Sequence, residues 1–226
     1  MGEKKVFYSE LSYVLGIFIL ATGCSFMERA NFGLSMVVAP AYLLHLKISQ
    51  FLPFFSFGMA GYVFQAFLLC ALAIITRKLK KSYFLSFVTA FIYGLVLDAV
   101  MSVVALFCFE GIVWRVVIYI TGLLFSSTGV ALLFHTYLPP EAYELFVKEL
   151  SCRLNISIGR MKTVYDCCSC VLAVVLSICF FGVLVGVSWG TVVCAMLNGF
   201  FIGRISKFLE KNFTFKDALS WREKIN

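Results

Sequence analysis

The sequence predicts an all-α polytopic transmembrane protein of six spans, arranged as two inverted three-helix repeats, with a short apolar segment in its first half that either re-enters the membrane or lies flat on it. Three observations lead there. Hydrophobic residues make up 62% of the 226 and charged residues only 14%, where a soluble domain carries roughly 25% charge. Six apolar runs reach the length of about 20 residues needed to cross a ~30 Å hydrocarbon core. Sixteen of the nineteen Lys and Arg residues gather on one side of those runs, the asymmetry that orients helices across a bilayer. With four prolines and no long polar tract, residues 1–226 read as a single transmembrane domain. Repeat 1 covers about 8–108, repeat 2 about 113–208, and a cytoplasmic tail 209–226.

The spans fall at about 8–27, 53–76, 83–107, 113–135, 163–185 and 189–208. Met1-Gly2-Glu3-Lys4-Lys5 leads directly into the first, which therefore serves as a span and not as a cleaved signal. The stretch from Asn31 to about Leu46 is apolar but too short to cross, and Pro40 would break a continuous helix. It either dips into the membrane or lies flat on it. If it dips, its freed backbone groups must line a cavity or be buried in protein, which places Gly33, Ser35 and Pro40 beside a site. The short connectors Phe109-Glu110-Gly111 and Gly186-Val187-Ser188 require antiparallel neighbours. After the fourth span, Pro140 opens an amphipathic helix with Glu141 and Glu144 in its first turn and Tyr143, Phe146 and Val147 on one face. It is expected to lie on the membrane surface. The tail from Lys211 to Asn226, with Phe213, Phe215 and Trp221 among basic residues, reads the same way and would favour anionic lipid.

Orientation follows from the basic residues. Lys4, Lys5, Arg77, Lys78, Lys80, Lys81, Lys148, Arg153, Arg160, Lys162 and the six from Arg204 onward share one face, against Arg29, Lys47 and Arg115 on the other. Both termini are therefore expected in the cytoplasm. The formal charge of +7 flanks spans and forms no aromatic-interleaved basic face, so no nucleic-acid partner is expected. The expected partners are the lipid bilayer and an unspecified small molecule or ion, with a homo-oligomer left open. Most of the nine cysteines lie within spans and read as packing thiols. Cys167 and Cys170 form a C-x-x-C spacing without a second ligand pair, and His45 and His135 fall on opposite faces, so neither a metal site nor a cofactor is expected. No G-x-S-x-G or H-E-x-x-H occurs, and an enzyme is not expected.

The halves share punctuation. Gly33 to Pro40 follows the first span, as Gly129 to His135 ends the fourth, each leading to proline and a loop. Ser56-Phe57-Gly58-Met59 then matches Ser157-Ile158-Gly159-Arg160, which sets Gln65 opposite Asp166, and Thr89 to Gly94 matches Cys194 to Gly199. Three spans per repeat is odd, so the second repeat must enter from the opposite face, giving halves related by an in-plane pseudo-twofold axis.

The segments Gly33 to Tyr42, Thr89 to Asp98, Phe134-His135-Thr136-Tyr137-Leu138-Pro139-Pro140-Glu141 and Tyr165-Asp166-Cys167-Cys168-Ser169 together resemble the YczE/YyaS/YitT group of bacterial membrane proteins over nearly the whole chain. The resemblance implies a multi-pass protein of the bacterial cytoplasmic membrane. It implies no substrate and no functional residue.

Ionisable groups inside spans are costly and mark candidate sites. Asp98 is expected toward the outer side of the third span, Asp166 entering the fifth from the cytoplasm with Gln65 as its repeat mate, and Arg204 near the cytoplasmic surface. His135, closing the fourth span, is expected as an interfacial hydrogen-bonded group. The substrate or ion site is thus expected among Asp98, Asp166, Gln65, Gly33, Ser35, Pro40 and His135. Duplication and buried acids together favour a small secondary transporter. The alternatives are the substrate-capturing membrane subunit of a vitamin-type uptake complex and a non-transporting accessory or sensory protein.

Overall fold

The computed structural model describes residues 5–33, 35–55, 57–78, 80–107 and 111–219, so Cys108, the Phe109-Glu110 connector and the tail beyond 219 lie outside it. Among the described residues there are eight α-helices and one two-stranded ribbon. Strand β1 (Lys5–Tyr8) leads into α1 (Ser9–Ala30), α2 (Ala39–Ile48), α3 (Phe57–Thr76) and α4 (Lys81–Val104). Then come α5 (Ile112–Phe134), α6 (Ala142–Leu154), α7 (Ile158–Phe181), α8 (Trp189–Asn212) and strand β2 (Phe213–Lys216). The six long helices α1, α3, α4, α5, α7 and α8 are apolar enough to cross a membrane. All six expected spans are present.

Burial runs opposite to that of a soluble protein. Phe67, Ile74, Phe84, Val171 and Phe200 face outward, while Ser12, Ser86, Ser127, Asp166 and Lys162 are sequestered between helices. Where the exterior is hydrocarbon, burying apolar groups drives nothing, and helices associate through close packing and shared hydrogen bonds. The central pair shows how. Helices α1 and α5 cross with Gly16 against Gly129 and Gly23 against Gly122, and a Cβ on Gly23 or Gly129 would strike backbone of the facing helix. Helices α7 and α8 meet in the same manner through Gly159, Gly199 and Gly203. Buried hydroxyls bridge the rest, as when Ser12 Oγ donates to Leu132 O at 3.0 Å and Tyr119 Oη to Gly190 O at 2.6 Å.

The chain ends form a clasp that the sequence concealed. Strands β1 and β2 pair in parallel with Lys5 opposite Phe213 and Tyr8 opposite Lys216. Ser9 Oγ donates to Asp217 Oδ1 at 2.8 Å, and the Glu10 carboxylate accepts from the Leu219 amide at 2.9 Å and from Tyr137 Oη at 2.8 Å. The start of the tail is thus held by backbone pairing, and the expected surface-lying segment is replaced there by a strand. Glu10→Ala is expected to leave the bundle folded and to loosen residues 213–219, seen as faster amide hydrogen exchange confined to that segment; unchanged exchange there would refute the clasp.

The short helices depart from a plain six-helix bundle. Helix α2, opened by Pro40 in its first turn, packs on α3 and α7, whereas α6 packs on α3, α4, α5 and α7. The surface-lying position expected for α6 is not the one it takes. Its charged groups explain why: Glu141 and Glu144 are buried, and the lysine that pairs with Glu144 is inside the protein.

Candidate functional site

Helix α6 begins immediately after Pro139 and Pro140, whose carbonyls accept hydrogen bonds from Thr89 Oγ1 at 2.8 Å and Ser86 Oγ at 2.6 Å of α4. This anchorage drives the first turn of α6 into the bundle. Glu141 occupies the N-cap position yet makes no side-chain cap bond, so its carboxyl is free to turn inward. One turn on, Glu144 points the same way. Across from them, Lys162 and Asp166 sit one turn apart on α7, the spacing at which side chains share a helix face.

These groups form a chain of polar contacts sealed from solvent. Lys162 Nζ lies 3.0 Å from Asp166 Oδ1 and 3.3 Å from Glu144 Oε1, with Lys162 1% and Asp166 0% exposed. Asn198 Nδ2 of α8 donates to Asp166 Oδ2 at 3.2 Å, and Ser127 Oγ of α5 donates to Asn198 Oδ1 at 2.9 Å. The α7–α8 glycine seam makes this possible, because only a close approach at Gly159 and Gly199 brings Asn198 within reach of Asp166. Buried charges persist only when paired and hydrogen-bonded. Lys162 is so satisfied, and one carboxyl is left over. The Glu141 side chain, 7% exposed, accepts no hydrogen bond from any described residue. Burial, reinforced by the Glu144 carboxylate and opposed by Lys162, pushes its carboxyl well above the usual carboxylate range.

Glu141, Glu144, Lys162 and Asn198 line one end of a cavity of about 580 Å³. Its walls are apolar and aromatic, with Leu20 and Met27 of α1, Tyr93 and Met101 of α4 and Val130 of α5. It reaches the opposite end of the bundle at Glu28, Asn31, Gly33 and Ser188. There Gly33, at φ +109°, packs so tightly on Ser188 and Thr191 that a Cβ would overlap both hydroxyls. Ser188 Oγ donates to Phe32 O, and Arg115 Nε donates to Ala30 O at 2.8 Å with its guanidinium over the Phe32 ring.

The expected site residues scatter. Gly33 and Ser35 line the cavity. Pro40 is buried at the start of α2 behind it, and Asp166 forms the second layer beneath Lys162 and Asn198. Gln65 is buried beside Tyr143, its Oε1 unpartnered among the described residues. Asp98 lies on the exposed face of α4 and does not join them. His135 caps α5 near the clasp, its Nδ1 2.7 Å from Ala131 O and its Nε2 3.4 Å from Glu210 Oε1. Arg204 is exposed on α8 over the Phe200 ring.

Glu141, Glu144, Lys162 and Asn198 were missed. From the sequence Lys162 reads as a surface anchor, and the two glutamates as ordinary first-turn acids of a peripheral helix. The available signal was the i, i+4 spacing of Lys162 and Asp166 near the start of a span, which calls for a further acid to balance the charge.

Fold and cavity together define a polytopic helical membrane protein with a charged, partly buried chamber between its helices. Residues 7–207 match a family of unknown function, DUF6198, and the chain belongs to that family. No curated protein and no solved structure matches it.

Proposed function

We propose that the protein is a secondary transporter of a small molecule or ion, built from two inverted repeats around the cavity, with both termini in the cytoplasm. The observation that carries this reading is a chamber ending in buried charge between the two halves of the chain. Several features support the repeat. The order long, short, long, long occurs twice, and both short helices have proline at or just before their start, Pro40 in α2 and Pro140 ahead of α6. Exchanging the halves maps the α2–α3 contact onto α6–α7, α2–α7 onto α6–α3 and α1–α4 onto α5–α8. The same exchange turns the Gly16–Gly129 crossing into Gly122–Gly23. The resemblance to the YczE/YyaS/YitT group adds a bacterial cytoplasmic-membrane setting to this reading.

The symmetry breaks where α6 also meets α4 and α5, and most of all at the outer helix pairs. Helices α7 and α8 are sealed at Gly159 and Gly199, whereas their counterparts α3 and α4 meet at the turn joining Thr76 to Tyr83, and Gly94, the mate of Gly199, has open space around it. Inverted repeats in unequal conformations are what alternating access requires: in the opposite state α3 and α4 close while α7 and α8 part. A cysteine-free variant carrying Gly58→Cys and Gly94→Cys, in membranes, tests this. Cross-linking between α3 and α4 by a short bifunctional reagent is expected, and its absence under all conditions would remove the alternating mechanism.

A further inference from the structure

Resting on the transporter reading, we infer that the cavity's ligand is an organic cation with an apolar body, whose positive charge is met by Glu141 in exchange for a proton. The charge balance points to it. The cavity is lined by Glu28, Glu141 and Glu144 against one ammonium, Lys162. That ammonium is already committed to Glu144 and Asp166, so a ligand meets an acidic chamber with no cation among the described lining residues free to receive an anion.

Glu141 is the group left to answer. It is more than nine-tenths buried, lines the cavity and has no hydrogen-bond donor among the described residues. An inorganic cation would need a shell of several oxygens, whereas much of the cavity wall is apolar and aromatic. Tyr42, Tyr93 and Tyr143 offer aromatic faces suited to a quaternary or substituted ammonium, and Met27, Met36 and Met101 supply adaptable apolar surface. The volume of about 580 Å³ suits a small organic molecule.

The exchange balances without another reactant. In the empty protein Glu141 holds a proton; on binding, the carboxyl O–H bond breaks, the proton leaves to water, and the carboxylate faces the ligand's cation. The groups facing Glu141 fix the sign. Helix α1 presents Tyr13 and Cys24, α4 presents Tyr93, α6 presents Tyr143 and Glu144, and α7 presents Lys162. Only one of these is cationic, so the carboxyl keeps its proton above the pH at which an exposed glutamate loses it. Protons and ligand then compete, and affinity falls as pH falls.

The test is isothermal titration of the detergent-purified protein with benzyltrimethylammonium, tetramethylammonium and phenylmethanesulfonate, repeated in buffers of differing protonation enthalpy and at two pH values. Benzyltrimethylammonium is expected to bind at least tenfold more tightly than tetramethylammonium, to release about one proton and to weaken on acidification, with no sulfonate binding. Glu141→Gln should lose proton release and at least tenfold in affinity. Sulfonate binding of equal strength, or ammonium binding without proton release by the wild type, would overturn the inference whether or not the variant folds. Flux in proteoliposomes separates it from the reading beneath: ammonium binding without flux would refute transport and keep the ligand class, while sulfonate flux would refute the ligand class and keep transport.

Discussion

Lys162→Met is expected to cost about 3–5 kcal/mol of stability, because it removes the single cation from a sealed group of carboxyls. Lys162 Nζ stands within 3.3 Å of both Glu144 and Asp166, and among the described residues neither acid has another cation paired with it. The methionine fills the volume, so the loss measures charge and not packing. Asp166 keeps one hydrogen bond from Asn198 at 3.2 Å, which compensates only part of a buried carboxylate. The measurement is thermal or denaturant unfolding of the purified protein in detergent. Added salt should leave the difference nearly unchanged, since the group is shielded from solvent. Lys162→Met combined with Asp166→Asn should recover part of the stability, as both charges are then gone. A variant as stable as wild type would show that the cluster is already protonated and neutral without its lysine.

Gly23→Ala is expected to prevent assembly of the folded protein. A Cβ at Gly23 would overlap the backbone of Ser126 and the carbonyl oxygen of Gly122, and no rotamer change can relieve contact with backbone. Ordinary overpacking costs roughly 1–3 kcal/mol because neighbouring side chains give way; here the whole α1–α5 crossing would have to separate, and with it the wall of the cavity formed by Leu20, Cys24 and Val130. Size-exclusion chromatography of the extracted protein should show aggregation or a large loss of yield. Gly94→Ala is the matched control, since nothing lies within 4 Å of its Cβ position, and it should fold within about 0.5 kcal/mol of wild type. If both variants fold equally well, close glycine packing does not hold the halves together.

The membrane class and the six long helices were legible in the sequence. Those depend on run length and hydropathy, which are local. Boundaries slipped where a local rule met a tertiary partner. The fifth span was expected to begin after Lys162, as a lysine belongs in water, yet α7 starts at Ile158 because Glu144 and Asp166 neutralise that lysine inside the protein. It ends at Phe181 because Gly182 adopts a left-handed conformation, φ 71°, that halts the helix.

Where the site lies is set by packing between helices. Asp98 and Asp166 both read as acids within spans, but helix rotation turned Asp98 outward and Asp166 inward, and rotation is set by packing partners that hydropathy does not encode. In the same way α6 carries the composition of a surface helix, and it is drawn inside because Ser86 and Thr89 seize the carbonyls ahead of it and Lys162 awaits its acids. The sequence contains every charged group of the chamber, while which of them meet depends on contacts between residues far apart in the chain, formed only when all the helices have packed.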